Sequence, residues 1–285
     1  MQRRYLYTLS KNILYKEGTW IRCTYNVSNG SEVRLLDEPE LFDMSQVYLM
    51  VINGRSYEAT RKMTYTGSSN RLTVDFIIDM SKFNSMAFMF RGCTDLISCD
   101  LTHLDLSQCT SLYSTWHSTS SLTSLNLSGK NTSKVTNCAY MLWNNDELTP
   151  STLTSLNMSG LDLSNVTTMQ GMCRAQNHSE ISFNFNNIKT SSKLTNTYAM
   201  FYGCKTTTGF DLRYFNFSGV TNAGHMFNNC NTLTSVRFGY NMGAVTNTTN
   251  MFANITTSGT LYYPSGGNFS TVINAKPSKW SASAY

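Results

Sequence analysis

A short block that recurs along the chain is the feature that most constrains the fold. Most copies open with a methionine and a large apolar residue, as in Met89-Phe90, Met200-Phe201 and Met226-Phe227, and one copy has Thr115-Trp116 instead. The first positions of the seven copies are 89, 115, 141, 172, 200, 226 and 251. A unit of about 26 residues cannot bury a core by itself, so neighbouring units must stack on one another.

Two further motifs keep a nearly fixed distance from this Met-Phe block. Six residues before it stands an apolar residue, which in three copies opens the triplet Val-Thr-Asn, as at 135–137. Ten residues before that apolar residue, an apolar-x-apolar unit begins, as in Leu125-Asn126-Leu127 and Leu156-Asn157-Met158. This period of two predicts a short strand with one buried face, and stacked strands predict a parallel ladder. We expect the Met-Phe block to form a short helical or irregular return segment that fills the interior.

Residues 122–128, 164–169 and 200–204 resemble the leucine-rich repeat of BspA-like bacterial surface proteins, the repeat type also found in mycoplasma-type lipoproteins. The resemblance covers about residues 85–260. It implies a leucine-rich-repeat solenoid, with a parallel β ladder and short helical or irregular return segments. It also implies a role in adhesion or protein recognition, and it brings no catalytic residues with it.

The segments that flank the repeats predict caps. Asn53-Gly54 lies between two strand-like runs and predicts a hairpin, because both turn positions need positive φ. Near the other end, Phe269 and Trp280 can cover the last repeat. We therefore predict four parts, which are an N-terminal arm (1–18), a small β-rich N-terminal cap (19–84), the leucine-rich-repeat solenoid (85–259) and a C-terminal cap (260–285).

The composition argues against several classes of function. Ser, Thr and Asn make up 100 of the 285 residues, and only 14 % of the residues are charged, against about 25 % in most soluble domains. The net charge of +5 is spread out, which argues against nucleic acid as a partner, and no stretch is apolar enough for a membrane span. Phosphate-loop, metalloprotease and hydrolase motifs do not occur. We predict a non-enzymatic protein with no cofactor and no bound metal.

Eight cysteines are present without C-x-x-C or zinc-ligand spacing. Cys93, Cys204 and Cys230 each stand four residues after the first position of a block, as small buried residues would. We predict free, buried thiols. Cys204 and Cys230 lie in adjacent repeats, so they are the pair that we expect to come closest to disulfide geometry.

Side chains that alternate with the buried strand residues predict a candidate binding face. Its central and corner residues are Asp100, Asn126, Asn157, Asn184, Asp211, Arg213 and Arg237. One interpretation is a ladder of Asn and Ser side chains bonded across the strands, on a face without aromatic anchors. The other is a ligand surface, to be sought first at Asp211, Arg213 and Arg237. Exposed aromatic residues near the Met-Phe block would form a second surface, drawn from Tyr113, Trp116, Tyr140, Trp143, Tyr198 and Tyr202.

The first 18 residues predict an anchoring arm with Arg3, Arg4, Tyr5, Tyr7 and Lys11 as its contact residues. A terminal strand or turn on the protein's own domain is the other interpretation. The arm begins with basic residues but lacks the apolar region of a secretory signal. Without a recognisable export signal, the chain favours a phage virion or tail appendage.

We therefore expect a recognition or adhesion protein, displayed on a virion or a bacterial surface, that binds a protein or a surface glycan. Other proteins of a virion or surface assembly are further expected partners. The alternatives are a purely structural or decoration protein of an assembly and a BspA-like bacterial cell-surface adhesin.

Overall fold

The computed structural model describes residues 19–37, 41–144, 151–174, 180–206 and 209–285. Its N-terminal part is built from short strands, with a 3-10 turn at Met44–Gln46. These strands are β1 (Trp20–Asn26), β2 (Glu32–Arg34), β3 (Val47–Ile52), β4 (Arg55–Tyr57), β5 (Lys62–Thr64) and β6 (Arg71–Ile78). The predicted hairpin is confirmed, because β3 pairs antiparallel with β4 and the turn residues Asn53 and Gly54 have φ of 48° and 74°.

The N-terminal sheet continues into the first repeat. Its strand order is β4-β3-β6-β1-β7, where β7 (Leu96–Asp100) belongs to that repeat, while β2 and β5 form a separate pair. Cys23 of β1 lies opposite Cys99 of β7, and the two Sγ atoms are 3.8 Å apart. One sheet therefore crosses the expected boundary between residues 84 and 85, because β1 gains a partner on its open edge from the repeat.

The following repeats and the C-terminal segment contribute short strands to parallel sheets. These strands are β8 (Ser124–Asn126), β9 (Ser155–Asn157), β10 (Ser182–Asn184), β11 (Phe210–Leu212), β12 (Ser235–Phe238), β13 (Gly259–Tyr263) and β14 (Trp280–Ala284). One sheet has the order β10-β9-β8 and a second has β11-β12-β13-β14. Leu125, Leu156 and Phe183 lie in register across the first of them, so one apolar column runs through three repeats. Phe183 is only half-buried, whereas Leu125 and Leu156 are fully buried.

A second parallel ladder is formed by single residues, three of which are the Asn of a Val-Thr-Asn triplet. The bridges run through Ser111, Asn137, Thr168, Asn196, Asn222 and Asn247. Beside it runs a row of exposed threonines, each of which donates its hydroxyl to the carbonyl of the threonine one repeat earlier. Thr136, Thr167, Thr195, Thr221 and Thr246 make these bonds at 3.2 to 3.4 Å. The triplet thus joins neighbouring repeats through both backbone and side chain.

The Met-Phe block is a turn, not a helix. Alternate backbone N–H groups donate to the next repeat, as Ala199 does to Gly224 at 2.9 Å and Phe201 does to Met226 at 3.0 Å. The residue just before the first position has positive φ in every copy, in the order Phe88, Ser114, Tyr140, Gly171, Ala199, His225 and Asn250. A left-handed residue at each turn breaks the run of helical angles. The helical option for the return segments is therefore wrong for the described part of 85–259, where the only regular elements are strands.

The side chains of these blocks form the core. Phe201, Phe227 and Phe252 stack in consecutive repeats, with ring centroids 5.8 and 5.2 Å apart. Trp280 contacts Phe252 at 5.8 Å at the end of this column, beyond the short helix α1 (Ser270–Ala275). All seven residues at the first position of the block are buried, so the repeated apolar pairs are packing residues.

Short polar bonds shape the corners of each repeat and account for much of the Ser, Thr and Asn. Asn126 Oδ1 accepts from the backbone N–H of Ser128 at 3.0 Å and from its hydroxyl at 2.8 Å. Asn131 and Ser133 repeat this arrangement at the next corner, and Asn137 accepts from the Ala139 N–H at the third. Such bonds two residues along the chain stabilise turns. The unusual composition is therefore a consequence of having about three corners in each repeat.

All eight cysteines are buried and unbridged. The Cys204 thiol donates to the Cys173 carbonyl at 3.1 Å, and the Cys230 thiol donates to the Phe201 carbonyl at 3.0 Å. The two thiols therefore have separate acceptors, whereas Cys23 and Cys99 contact each other directly.

Candidate recognition surfaces

The strand face carries the polar row that the sequence predicts. Asn126, Asn157 and Asn184 are in register on β8, β9 and β10. Each amide oxygen accepts from the backbone N–H two residues later in its own turn, at 3.0 to 3.2 Å. Within the ranges that the structure describes, no hydrogen bond joins the three amides to one another. The cross-strand interpretation is therefore wrong for these three amides, because a bond within its own turn engages each side-chain oxygen.

Asp100 marks the N-terminal end of this face. Hydrogen bonds from Thr102 lower the pKa of its carboxyl below the ordinary value. Lys130 donates its Nζ to the carbonyls of Thr102 and Leu104 at 2.8 and 3.0 Å. A shallow depression of about 260 Å³ lies between Asp100, Asn126 and Lys130. Its cation and its carboxylate are both already engaged by neighbours, so this end of the face is a poor ligand site.

Asp211, Arg213 and Arg237 come together at the other end. Arg213 binds Asp211 through two nitrogens, with Nε–Oδ1 at 2.9 Å and Nη2–Oδ2 at 2.7 Å, and this bond lowers the pKa of Asp211. Arg237 is the register partner of Asp211. Its guanidinium lies over the rings of Tyr262 and Tyr285, at 4.8 and 5.3 Å. The expectation of a face without aromatic anchors is wrong here, because the C-terminal strands bring tyrosines beside Arg237.

A second surface lies on the Met-Phe blocks. The residue two positions after the first of the block is His117, Trp143, Arg174 or Tyr202 in four consecutive repeats, and we call these four the stacked column. His117 and Trp143 stack with ring centroids 4.7 Å apart. The Arg174 guanidinium lies 5.1 Å from the Trp143 ring and 4.8 Å from the Tyr202 ring. Four planar groups therefore follow one another at about the spacing of neighbouring strands.

Tyrosines lie beside the stacked column. Tyr113 meets Tyr140 edge-on at 5.8 Å, and Tyr140 lies 5.1 Å from Trp143. Further along, Tyr198 contacts the ring of His225 at 5.2 Å. The structure thus brings together five of the six aromatic residues that the sequence predicts for this surface. Trp116 is the exception.

Trp116 is 1 % exposed and belongs to the core. It occupies the second position of its block, where other repeats place buried Phe, and it stacks on Phe90 at 6.4 Å. Sequence reasoning missed His117 and Arg174, since the four members of the stacked column differ in residue type. The signal that could have found them is their constant distance from the Met-Phe pair.

The predicted anchoring arm, with Arg3, Arg4, Tyr5, Tyr7 and Lys11, lies outside the described residues. Among the residues that are described, no group of His, Cys, Asp or Glu side chains is arranged to hold a metal ion. The described ranges also contain no helix with the length and apolar character needed to cross a bilayer.

Residues 66–184 and 148–261 each match the family described as "Mycoplasma protein of unknown function, DUF285". The two matches together cover more than half of the chain, so the protein belongs to this family. They run from just before β6 into β13 and overlap in the middle of the repeats. Comparison with curated proteins and with solved structures gave no significant match.

Proposed function

We propose that this protein is a non-enzymatic recognition protein in which BspA-like leucine-rich repeats form a solenoid. Parallel pairing of β8, β9 and β10, with Leu125, Leu156 and Phe183 in register, supports the solenoid. The bonds that the Met-Phe turns make to the next repeat support it independently. Such a frame holds surface side chains at fixed spacing, as recognition by a solenoid requires.

The observation that carries the recognition role is the Arg237 corner. Arg237 lies over two tyrosine rings and next to the Asp211–Arg213 pair, on the side of the sheet that faces away from the core. Tyr and Arg are the residue types that most often dominate binding energy at interfaces. Their rotamers are already restricted by stacking, which lowers the entropy cost of binding.

The expected ligand is a protein or a glycan on a cell surface, and the expected location is a virion or a bacterial surface. A binding assay with intact bacterial cells tests this proposal. Fluorescently labelled protein is incubated with a panel of strains, and saturable binding that unlabelled protein displaces is the expected result. Arg237→Gln should reduce this binding, while Arg55→Gln, the same change on exposed β4, should not.

A purely structural or decoration role is the other outcome of this assay. It would follow if no strain shows saturable binding while the protein remains folded. It would also follow if Arg237→Gln and Arg55→Gln reduce binding equally, since that is the behaviour of non-specific charge.

Attachment to a larger assembly is assigned to the arm, residues 1–18. Arg3, Arg4 and Lys11 supply positive charge for the encounter, and Tyr5 and Tyr7 supply apolar contacts. A protein that begins at Gly18 should keep its melting temperature and its cell binding but should no longer join the assembly. Unfolding of this shortened protein would assign the arm to the cap instead.

A further inference from the structure

We propose that the Met-Phe surface binds an acidic polysaccharide, a chain of carboxylated pyranose rings, through Tyr140, Arg174 and Tyr198. The proposal rests on the recognition role and names the ligand class for this second surface. The three residues belong to three consecutive repeats, so the order along the solenoid is ring, cation, ring.

Each of the two tyrosine rings lies close to a glycine of the next repeat. A β-carbon at Gly171 would lie 2.6 Å from Cδ1 of Tyr140, and one at Gly224 would lie 3.3 Å from Cδ2 of Tyr198. Both tyrosines are half-buried, so part of each ring remains open to solvent. The negative face of an aromatic ring attracts weakly positive C–H groups, which one side of a pyranose ring presents.

Arg174 supplies the charge. Its guanidinium is fixed between Trp143 and Tyr202, and its Nε is buried without a hydrogen-bond partner. No carboxylate of the described residues pairs with it, in contrast to Arg213, which binds Asp211. With no carboxylate of the described residues against it, the guanidinium can bind a carboxylate of a ligand through its terminal nitrogens, since the buried Nε is out of reach.

The backbone at this surface argues for a sugar chain over an acidic peptide. Tyr140, Gly171 and Ala199 donate their N–H groups to the neighbouring repeat at 2.8 to 2.9 Å. A peptide strand therefore finds no free backbone edge to pair with. Ring faces and the guanidinium are what the surface still offers, and both suit a carboxylated sugar.

In the test, the purified protein is titrated with polygalacturonate and binding is measured by isothermal titration calorimetry. The matched control ligand is the fully methyl-esterified polymer, which keeps the rings and removes the charge. We expect binding of the acid form and about tenfold weaker binding of the ester. Arg174→Gln and Tyr140→Leu should each weaken binding of the acid form about tenfold, whereas Arg55→Gln should leave it unchanged.

Poly-L-glutamate tests the other class of acidic partner. Equal affinity for poly-L-glutamate and polygalacturonate, with no effect of Tyr140→Leu, would overturn the proposal in favour of a charge-driven contact. Absence of polygalacturonate binding by the folded protein would overturn it as well. If Tyr140→Leu lowers the melting temperature, Tyr198→Leu provides the second ring variant. Saturable cell binding by a wild-type protein that does not bind polygalacturonate would leave the recognition role intact and reject only this ligand.

Discussion

The ring of Tyr140 lies against Gly171 so closely that a β-carbon at position 171 would come within 2.6 Å of ring atom Cδ1. The φ of Gly171 is +57°, but Ala199 and Phe88 adopt similar angles at the same repeat position. The left-handed conformation therefore does not by itself demand glycine here. What the glycine provides is space for the tyrosine ring of the preceding repeat.

This relationship predicts the effect of Gly171→Ala. The new methyl group would displace the Tyr140 ring and disturb its contact with Trp143, so tryptophan fluorescence should change and unfolding should become easier. Gly160→Ala is the matched control, because Gly160 also has positive φ but nothing lies within 4 Å of its would-be β-carbon. We expect the control to cost about 1–2 kcal/mol from strain alone, without a fluorescence change. Equal fluorescence in both variants would contradict the packing of Tyr140 on Gly171.

The alternation of strand side chains predicts a contrast between neighbours. Leu156 is fully buried on β9, so Leu156→Ala should lower the free energy of unfolding by about 2–5 kcal/mol. Asn157 makes one local bond to the Ser159 N–H at 3.1 Å, so Asn157→Ala should cost about 1 kcal/mol or less. Denaturant titration of the two variants measures both values. Similar losses would mean that the strand faces are assigned the wrong way round.

His117 predicts a dependence of stability on pH. Burial, with a further contribution from Arg91, lowers the pKa of His117 from 6.5 to about 4. The unfolded chain therefore binds this proton at a higher pH than the folded protein does. Stability should fall as the pH drops from about 6.5 to about 4, and this contribution should level off below that range.

The variant His117→Phe keeps the ring contact with Trp143 and removes the proton. The loss of unfolding free energy between pH 7 and pH 5 should therefore be smaller in His117→Phe than in the wild-type protein. His103→Phe serves as the control, because His103 is an exposed residue that stacks on Trp20. A loss in His117→Phe as large as in the wild type would show that other groups cause the pH dependence.

The burial of the cysteines predicts that a thiol reagent labels the unfolded protein but not the folded protein. All eight thiols are buried, so none is accessible to a reagent, and burial raises the pKa of the Cys109 thiol to about 11, so little of it is thiolate. A thiol reagent should leave the folded protein unlabelled and should count eight thiols in denaturant without reductant. Ser68→Cys, in an exposed turn, should label at once in the folded state. A count of six would reveal a bridge, and Cys23–Cys99 is the pair in contact.

Much of the repeat could be predicted because its apolar positions are periodic. The strand residues Leu125 and Leu156, and the Val of each Val-Thr-Asn triplet, are buried as their spacing predicts. The turn conformation could not be predicted, because residues with positive φ include Phe88, Tyr140 and Ala199, and the sequence has no glycine at these positions to indicate it. Here the bonds between neighbouring repeats outweigh the local preference of each residue.

Contacts that depend on pairing across long stretches of chain also escaped prediction. Nothing local indicates that β1 joins β7 about 75 residues later, since strand partners are selected by the whole sheet. The surface at Arg237 is similar, because Tyr262 and Tyr285 reach it only through the parallel pairing of β12, β13 and β14. Alternation along one strand identifies outward residues but not their neighbours from other strands.

The corner bonds, such as that between Asn131 and Ser133, begin and end within the same repeat. A repeat that is duplicated or deleted as a unit therefore carries its own corner bonds with it. A gene built from such repeats can lengthen or shorten the protein in steps of one repeat. The reach of the protein can thus change in evolution without redesign of its fold.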